Sequence, residues 1–112
     1  MDEARARELL TAERARIERE LAELRPTDNG ELAHGDQHLG DEASDLYDDE
    51  VRVGRIDDLE EGLRRVEDAE ARLAAGTYGI SVVSGEPIPD ERLQAVPTAD
   101  RTVEEEGRLA RG

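Results

Sequence analysis

Gly76-Thr77-Tyr78-Gly79-Ile80-Ser81-Val82-Val83-Ser84-Gly85-Glu86-Pro87-Ile88 opens a stretch that continues through Arg92-Leu93-Gln94-Ala95-Val96-Pro97-Thr98-Ala99 and closes on Thr102-Val103-Glu104-Glu105. Its outer pairs, Ser81 with Ser84 and Thr102 with Glu105, stand at the C-x2-C spacing of two metal knuckles, yet neither contains a cysteine. Structural metal knuckles use thiolate or imidazole donors, usually four to a closed site. Neutral hydroxyls and one carboxylate do not make such a site, so the stretch has the frame of a small ribbon without its ligands.

The frame is nonetheless ordered in detail. Tyr78-Gly79-Ile80-Ser81-Val82-Val83 is β-prone and runs into Ser84-Gly85, a tight-turn pair. Asp90–Ala95 reads as a helical turn with Pro89 at its start, and residues 100–109 read as a last short helix with Arg108 and Arg111 near its C-terminal end. With no metal, apolar packing has to close the module, and Ile80, Val82, Val83, Ile88, Leu93, Val96 and Val103 are the groups expected to do it.

Upstream, residues 2–25 have helix-forming composition with Leu10, Ile17, Leu21 and Leu24 on a narrow seam, and Pro26 ends the pattern. A second seam runs through Ile56, Leu59, Leu63, Val66 and Leu73, with Glu70 in place of one apolar member, which predicts a helix over about residues 42–75 ending at Gly76. Between them, residues 26–50 carry nine acids and no Lys or Arg, broken by Pro26, Gly30, Gly35 and Gly40. Two complementary seams joined by one acidic turn predict a mainly α protein built on a long antiparallel helical hairpin, a coiled coil over 1–75 with its tip around 26–50. The ribbon-like knob without metal and the short C-terminal helix occupy 76–112. A monomer is expected, with a parallel homodimeric coiled coil as the alternative.

Composition agrees. A net charge of −15 over 112 residues, two tyrosines as the only aromatics, and 40% charged residues leave no material for a large globular core. Zero cysteines exclude disulfides and thiolate sites. The acidic balance argues against direct binding to nucleic acid, which calls for a basic face. No apolar run at the start or later reads as a signal peptide or a membrane span, so a cytoplasmic protein without membrane contact is expected.

Catalytic chemistry finds no foothold. Ser81 and Ser84 lack a base, and a nucleophile elbow would need glycine where Val83 stands. His34, His38, Asp36 and Asp41 lie in a glycine-rich turn without the pattern of a calcium loop. No enzyme activity, catalytic residue, metal or cofactor is expected.

The order G-T-Y-G, S-x-x-S-G-E-P-I, R-L-x-A-x-P-x-A, T-x-x-E closely resembles the C-terminal finger of the DksA/TraR family, whose pattern is G-T-Y-G-x-C-x-x-C-G-x-x-I, R-L-x-A-x-P-x-A and C-x-x-C. By that resemblance Ser81, Ser84, Thr102 and Glu105 are the former zinc-ligand positions, not expected to bind metal. The resemblance extends to Glu31-Leu32-Ala33-His34-Gly35-Asp36-Gln37-His38-Leu39-Gly40-Asp41, similar to a family variant reading E-L-S-x-x-D-N-H-P-A-D. It implies that the acidic tip (Asp36, His38, Asp41, Glu42, Ala43 and Asp45) enters the secondary channel of RNA polymerase. Asp41 and Ala43 then fall on the second Asp and the Ala of the family's D-x-x-D-x-A; His38 falls at the first, and either Asp36 or His38 does the first acid's work. The implied function is a regulator of transcription that binds RNA polymerase; the alternative is a coiled-coil interaction or self-association module without polymerase activity.

Overall fold

The computed structural model describes residues 1–25 and 42–111, and for residues 42–48 the backbone alone. The described residues form four α-helices and no strand: α1 (Glu3–Leu24), α2 (Glu42–Ala75), α3 (Asp90–Ala95) and α4 (Val103–Arg111). The protein is mainly helical, and α2 begins and ends where the sequence pattern places it. The residues of the acidic connection from 26 to 41 lie outside the described ones.

Helix α1 contains no Gly or Pro and starts on a built cap: the Asp2 carboxylate accepts the Arg5 amide at 2.8 Å, occupying one of the four free amides of the first turn. Ion pairs one turn apart, Arg7 with Glu3 and Arg16 with Glu20, line its exposed side. Its buried stripe is Ala6, Leu10, Ile17 and Leu21. Leu24 is only half-buried, so the stripe is shifted one turn toward the N-terminus relative to the seam of large residues.

Helix α2 buries Leu59, Val66 and Ala69, with Ile56, Leu63 and Leu73 half-buried. Its C-terminus is a Schellman motif. Gly76 adopts φ 82°, its amide donates to the Leu73 carbonyl at 3.2 Å, and the Thr77 amide donates to the Arg72 carbonyl at 2.8 Å. A left-handed residue at this position costs a side chain about 1 kcal/mol, which is why glycine ends the helix here.

The chain divides into two compact units, Met1–Ala15 with Arg64–Gly112, and Arg16–Leu63. In the first, Arg14 reaches Glu70 with two hydrogen bonds, at 2.7 and 3.3 Å, while Leu10 and Thr11 share a cavity with Glu70, Leu73 and Ala74. Glu70, the polar residue in the apolar seam, is therefore met by a cation from the other helix. In the second unit Glu20 accepts from Arg55 at 2.8 Å, Arg25 pairs with Glu60, and Ile17, Leu21 and Leu59 are buried. The Arg55 hydrogen bond, with the charges of Arg55 and Arg16, holds the Glu20 carboxyl below its usual range.

Beyond Gly76 the first unit contains a small core of Ile88, Leu93 and Ala99, against which Met1, Tyr78 and Val96 pack. The Tyr78 hydroxyl donates to the Pro97 carbonyl at 2.7 Å, and burial pushes its pKa up. Helix α3 begins after Pro89, whose φ of −60° is already that of a helix.

Two expectations for this region are corrected. Residues 78–83 form no strand; Ile80 makes a single isolated bridge with Pro87, and residues 82–84 are a turn. The apolar set that was to close the module also divides. Ile88 and Leu93 are buried and Val96 partly so, whereas Ile80, Val82, Val83 and Val103 are exposed. At the turn, Ser81 faces inward to Glu105, 24 residues away, and the residues that follow it are left facing solvent.

Candidate functional site

Ser81, Ser84, Thr102 and Glu105 are brought together by hydrogen bonds. Ser81 is buried, 3% exposed, and its hydroxyl donates to the Glu105 Oε1 atom at 2.6 Å. The Ser81 oxygen in turn accepts the amides of Val83 at 3.0 Å and Ser84 at 3.2 Å. A serine hydroxyl has one proton and two lone pairs, so Ser81 is fully used. The backbone holds this knuckle in place through Ser81 N to the Glu86 carbonyl at 2.8 Å, Gly85 N to the Ser81 carbonyl at 2.9 Å, and Val82 N to the Asp100 carbonyl at 2.9 Å.

On the other side, Thr102 and Glu105 form the capping box of α4. The Thr102 hydroxyl oxygen accepts the Glu105 amide at 3.2 Å, and Glu105 Oε1 accepts the Thr102 amide at 2.8 Å. The same carboxylate oxygen thus serves the helix start and the Ser81 knuckle. Glu105 is only 7% exposed. Hydrogen bonds from the Ser81 and Ser84 hydroxyls and from the Thr102 amide hold its carboxyl down at about 2, against a usual 4.5.

This donor set does not fit zinc. Both lone pairs of Ser81 are engaged by amides, the Thr102 oxygen is engaged by the Glu105 amide, and one carboxylate remains. What the arrangement can do is mechanical: a buried carboxylate ties the start of α4 to the turn at 81–84. The T-x-x-E spacing is a capping-box signature in its own right, and the ligand-spacing reading of the same two residues passes over it.

The residues expected at the tip are described in part. Glu42, Ala43 and Asp45 fall in the first two turns of α2, where acids suit the positive end of the helix dipole. Asp36, His38 and Asp41 lie outside the described residues.

No family model matches the chain. Over 75 residues it is 44% identical to the uncharacterized protein YteA of Bacillus subtilis (strain 168), a match covering 67% of this chain and 31% of YteA. It is 39% identical over 77 residues to General stress protein 16O of the same organism, covering 67% of this chain and 47% of that protein. The chain therefore spans less than half the length of either. Among solved structures, the transcription factor DksA2 from Pseudomonas aeruginosa aligns with a TM-score of 0.68 and 31% identity over 97% of this chain and 83% of its own. The chain belongs to the DksA/TraR family. In this DksA/TraR protein, hydroxyls and a carboxylate stand at positions 81, 84, 102 and 105.

Proposed function

We propose that this chain is a transcription regulator that binds RNA polymerase and acts by inserting an acidic helical tip into the secondary channel. The observation that carries this reading is the likeness to the transcription factor DksA2, which runs over 97% of the chain. The helices are read as an antiparallel hairpin. Within the first unit alone, Leu10 lines one cavity with Leu73 and Ala74, and Arg14 meets Glu70, which supports opposed chain directions.

Electrostatics supports the same reading. A channel that admits nucleotides carries positive potential, and an acidic tip on a stiff arm is steered toward it. Asp41 and Ala43 act within the channel: the carboxylate meets cationic groups there, and the small side chain allows close approach. Asp36, His38, Glu42 and Asp45 supply the surrounding field, and the C-terminal region docks outside.

The test is binding of the intact protein to the core RNA polymerase of its own host, with transcription assayed alongside, at low and moderate salt. The intact protein is expected to bind, more weakly at higher salt. Asp41→Asn and Ala43→Thr are expected to lose the effect on transcription while the fold, followed by circular dichroism, is unchanged. No binding at low salt would defeat the reading.

A further inference from the structure

Helix α2 is uneven along its length. From Leu59 to Ala75 it is rich in Leu, Ala, Glu and Arg, the strong helix formers, and it buries Leu59, Val66 and Ala69. Its start has a different make-up. Ser44, Asp45, Tyr47, Asp48, Asp49, Val51 and Val53 belong to the weaker half of the helix formers, and Gly54, which closes the run, ranks below every residue but proline. Asp45 and Asp49 stand one turn apart, a like-charge spacing that opposes a helix. The helix dipole favours acids only within the first turn, so Asp48, Asp49 and Glu50 gain little from it.

Packing does not make up for this. Asp49, Glu50, Val51, Val53 and Gly54 are exposed and Arg52 is half-buried, while the apolar side chains begin to be covered only at Ile56 and are buried only from Leu59. Val51 and Val53 are 55% and 57% exposed. Among the described residues, the side-chain bonding of 49–53 is the Arg52–Asp49 pair, which lies within the helix itself. The ties to α1 start later, at Arg55 with Glu20 and at Glu60 with Arg25. Apart from neighbouring backbone, a Cβ at Gly54 would meet no atom within 4 Å, so close packing is not what places a glycine there. Helices of three or four turns are marginal in water unless a packed face holds them. The whole contrast lies inside the second unit, Arg16–Leu63.

We propose that the start of α2, from Glu42 to Gly54, is a conditional helix: it winds and unwinds as a unit of its own, bounded by Gly54, while the rest of α2 stays helical. Segments with few buried apolar contacts open independently of the global unfolding, and that condition is met before Ile56 and not after Leu59. The segment is thereby a switch. A partner that favours the wound form draws the equilibrium toward it by its difference in affinity for the two forms. Glu42, Ala43 and Asp45 stand on this segment, so their presentation follows its winding. The equilibrium belongs to the free chain and bears on the function proposed above without resting on it.

Native-state hydrogen exchange on the full chain, resolved by residue with NMR, tests this. The amides of residues 46–54 are expected to be protected about two- to tenfold relative to an unstructured peptide, and those of 59–72 at least about a hundredfold. Gly54→Ala is expected to raise the protection of 46–53 about fivefold, the ratio to which the difference in helix propensity between glycine and alanine corresponds. Protection of 46–54 equal to that of 59–72 would make α2 one cooperative unit and overturn the proposal. So would the absence of any protection at 46–53 in Gly54→Ala, because the segment would then not wind at all. Protection at 46–53 that is unchanged by Gly54→Ala would remove Gly54 as the limit. None of these outcomes involves polymerase, so failure here is distinct from failure of the proposed function.

Discussion

The Ser81 hydroxyl and the Glu105 carboxylate, 24 positions apart in sequence, meet at 2.6 Å in a buried contact that joins the 81–84 turn to the first turn of α4. Because Glu105 also closes the capping box with Thr102, its removal should cost more than that of either partner. Thr102→Ala is expected to lower stability by about 1 kcal/mol, the usual cost of losing an N-cap. Glu105→Ala should lower the melting temperature further, and Ser81→Ala should cost less once Glu105 is gone, its remaining loss being the acceptor of the Val83 and Ser84 amides. Thermal melts of the singles and the Ser81/Glu105 double variant measure this; additive losses would mean that the two residues act independently.

The acid limb of stability should report the same carboxylate. Its folded pKa, about 2, lies below the usual 4.5, so the charged form is favoured by folding. The stability it contributes is complete above about pH 4.5 and is lost as pH falls from there toward 2. Glu20, also lowered, acts in the same direction in the other unit. Glu105→Gln is expected to flatten the acid limb of a melting-temperature profile between pH 5 and 2, measured with circular dichroism; an unchanged slope would remove Glu105 from the account.

Metal should be irrelevant to folding. Excess chelator is expected to leave the melting temperature of the purified chain unchanged, since three hydroxyls and one carboxylate at positions 81, 84, 102 and 105 do not make a closed zinc site. Replacing all four with cysteine should reverse this and make stability depend on zinc. A chelator-sensitive melt of the natural sequence would show that a metal site exists elsewhere.

Much of this architecture is legible from residue pattern alone, and the places where it is not have physical reasons. The span of α2 follows from its seam and from Gly76, because periodicity and a left-handed cap are local properties. Ala6 and Ala69 escape a seam drawn through large residues, yet both are fully buried, since close helix contact favours small side chains. The inward or outward fate of Val82, Val83 and Val103 depends on where Ser81 finds its partner, and Glu105 is 24 residues away. The valines were legible as apolar; their exposure follows from a tertiary hydrogen bond. The four knuckle positions are marked by spacing, while the carboxylate that joins them is visible in sequence only as a capping box.

The Arg14–Glu70 pair should have a measurable but small coupling. Side chains 31% and 38% exposed are partly screened, so a double-mutant cycle with Arg14→Ala and Glu70→Ala should give about 0.5–1 kcal/mol. Glu70→Leu restores the apolar seam and loses the pair. Chemical denaturation should find it at least as stable as the natural chain, because an apolar residue can replace an ion pair at no net cost when it packs. A loss comparable to that of Glu70→Ala would mean that the seam at this turn has no room for a leucine.

Two glycines give the sharpest contrast. Apart from their own neighbouring backbone, neither Gly54 nor Gly76 has an atom within 4 Å of where a Cβ would stand, so space alone predicts the same tolerance for both. Their backbones differ. Gly54 lies inside α2, where alanine is favoured over glycine by about 1 kcal/mol because less backbone entropy is lost on folding. Gly76 sits at φ 82°, where a side chain meets its own backbone at a cost of about 1 kcal/mol. Gly54→Ala is therefore expected to raise stability by about 0.5–1 kcal/mol and Gly76→Ala to lower it by about as much, read from the midpoints of chemical denaturation. Equal shifts of the same sign would contradict the left-handed termination of α2.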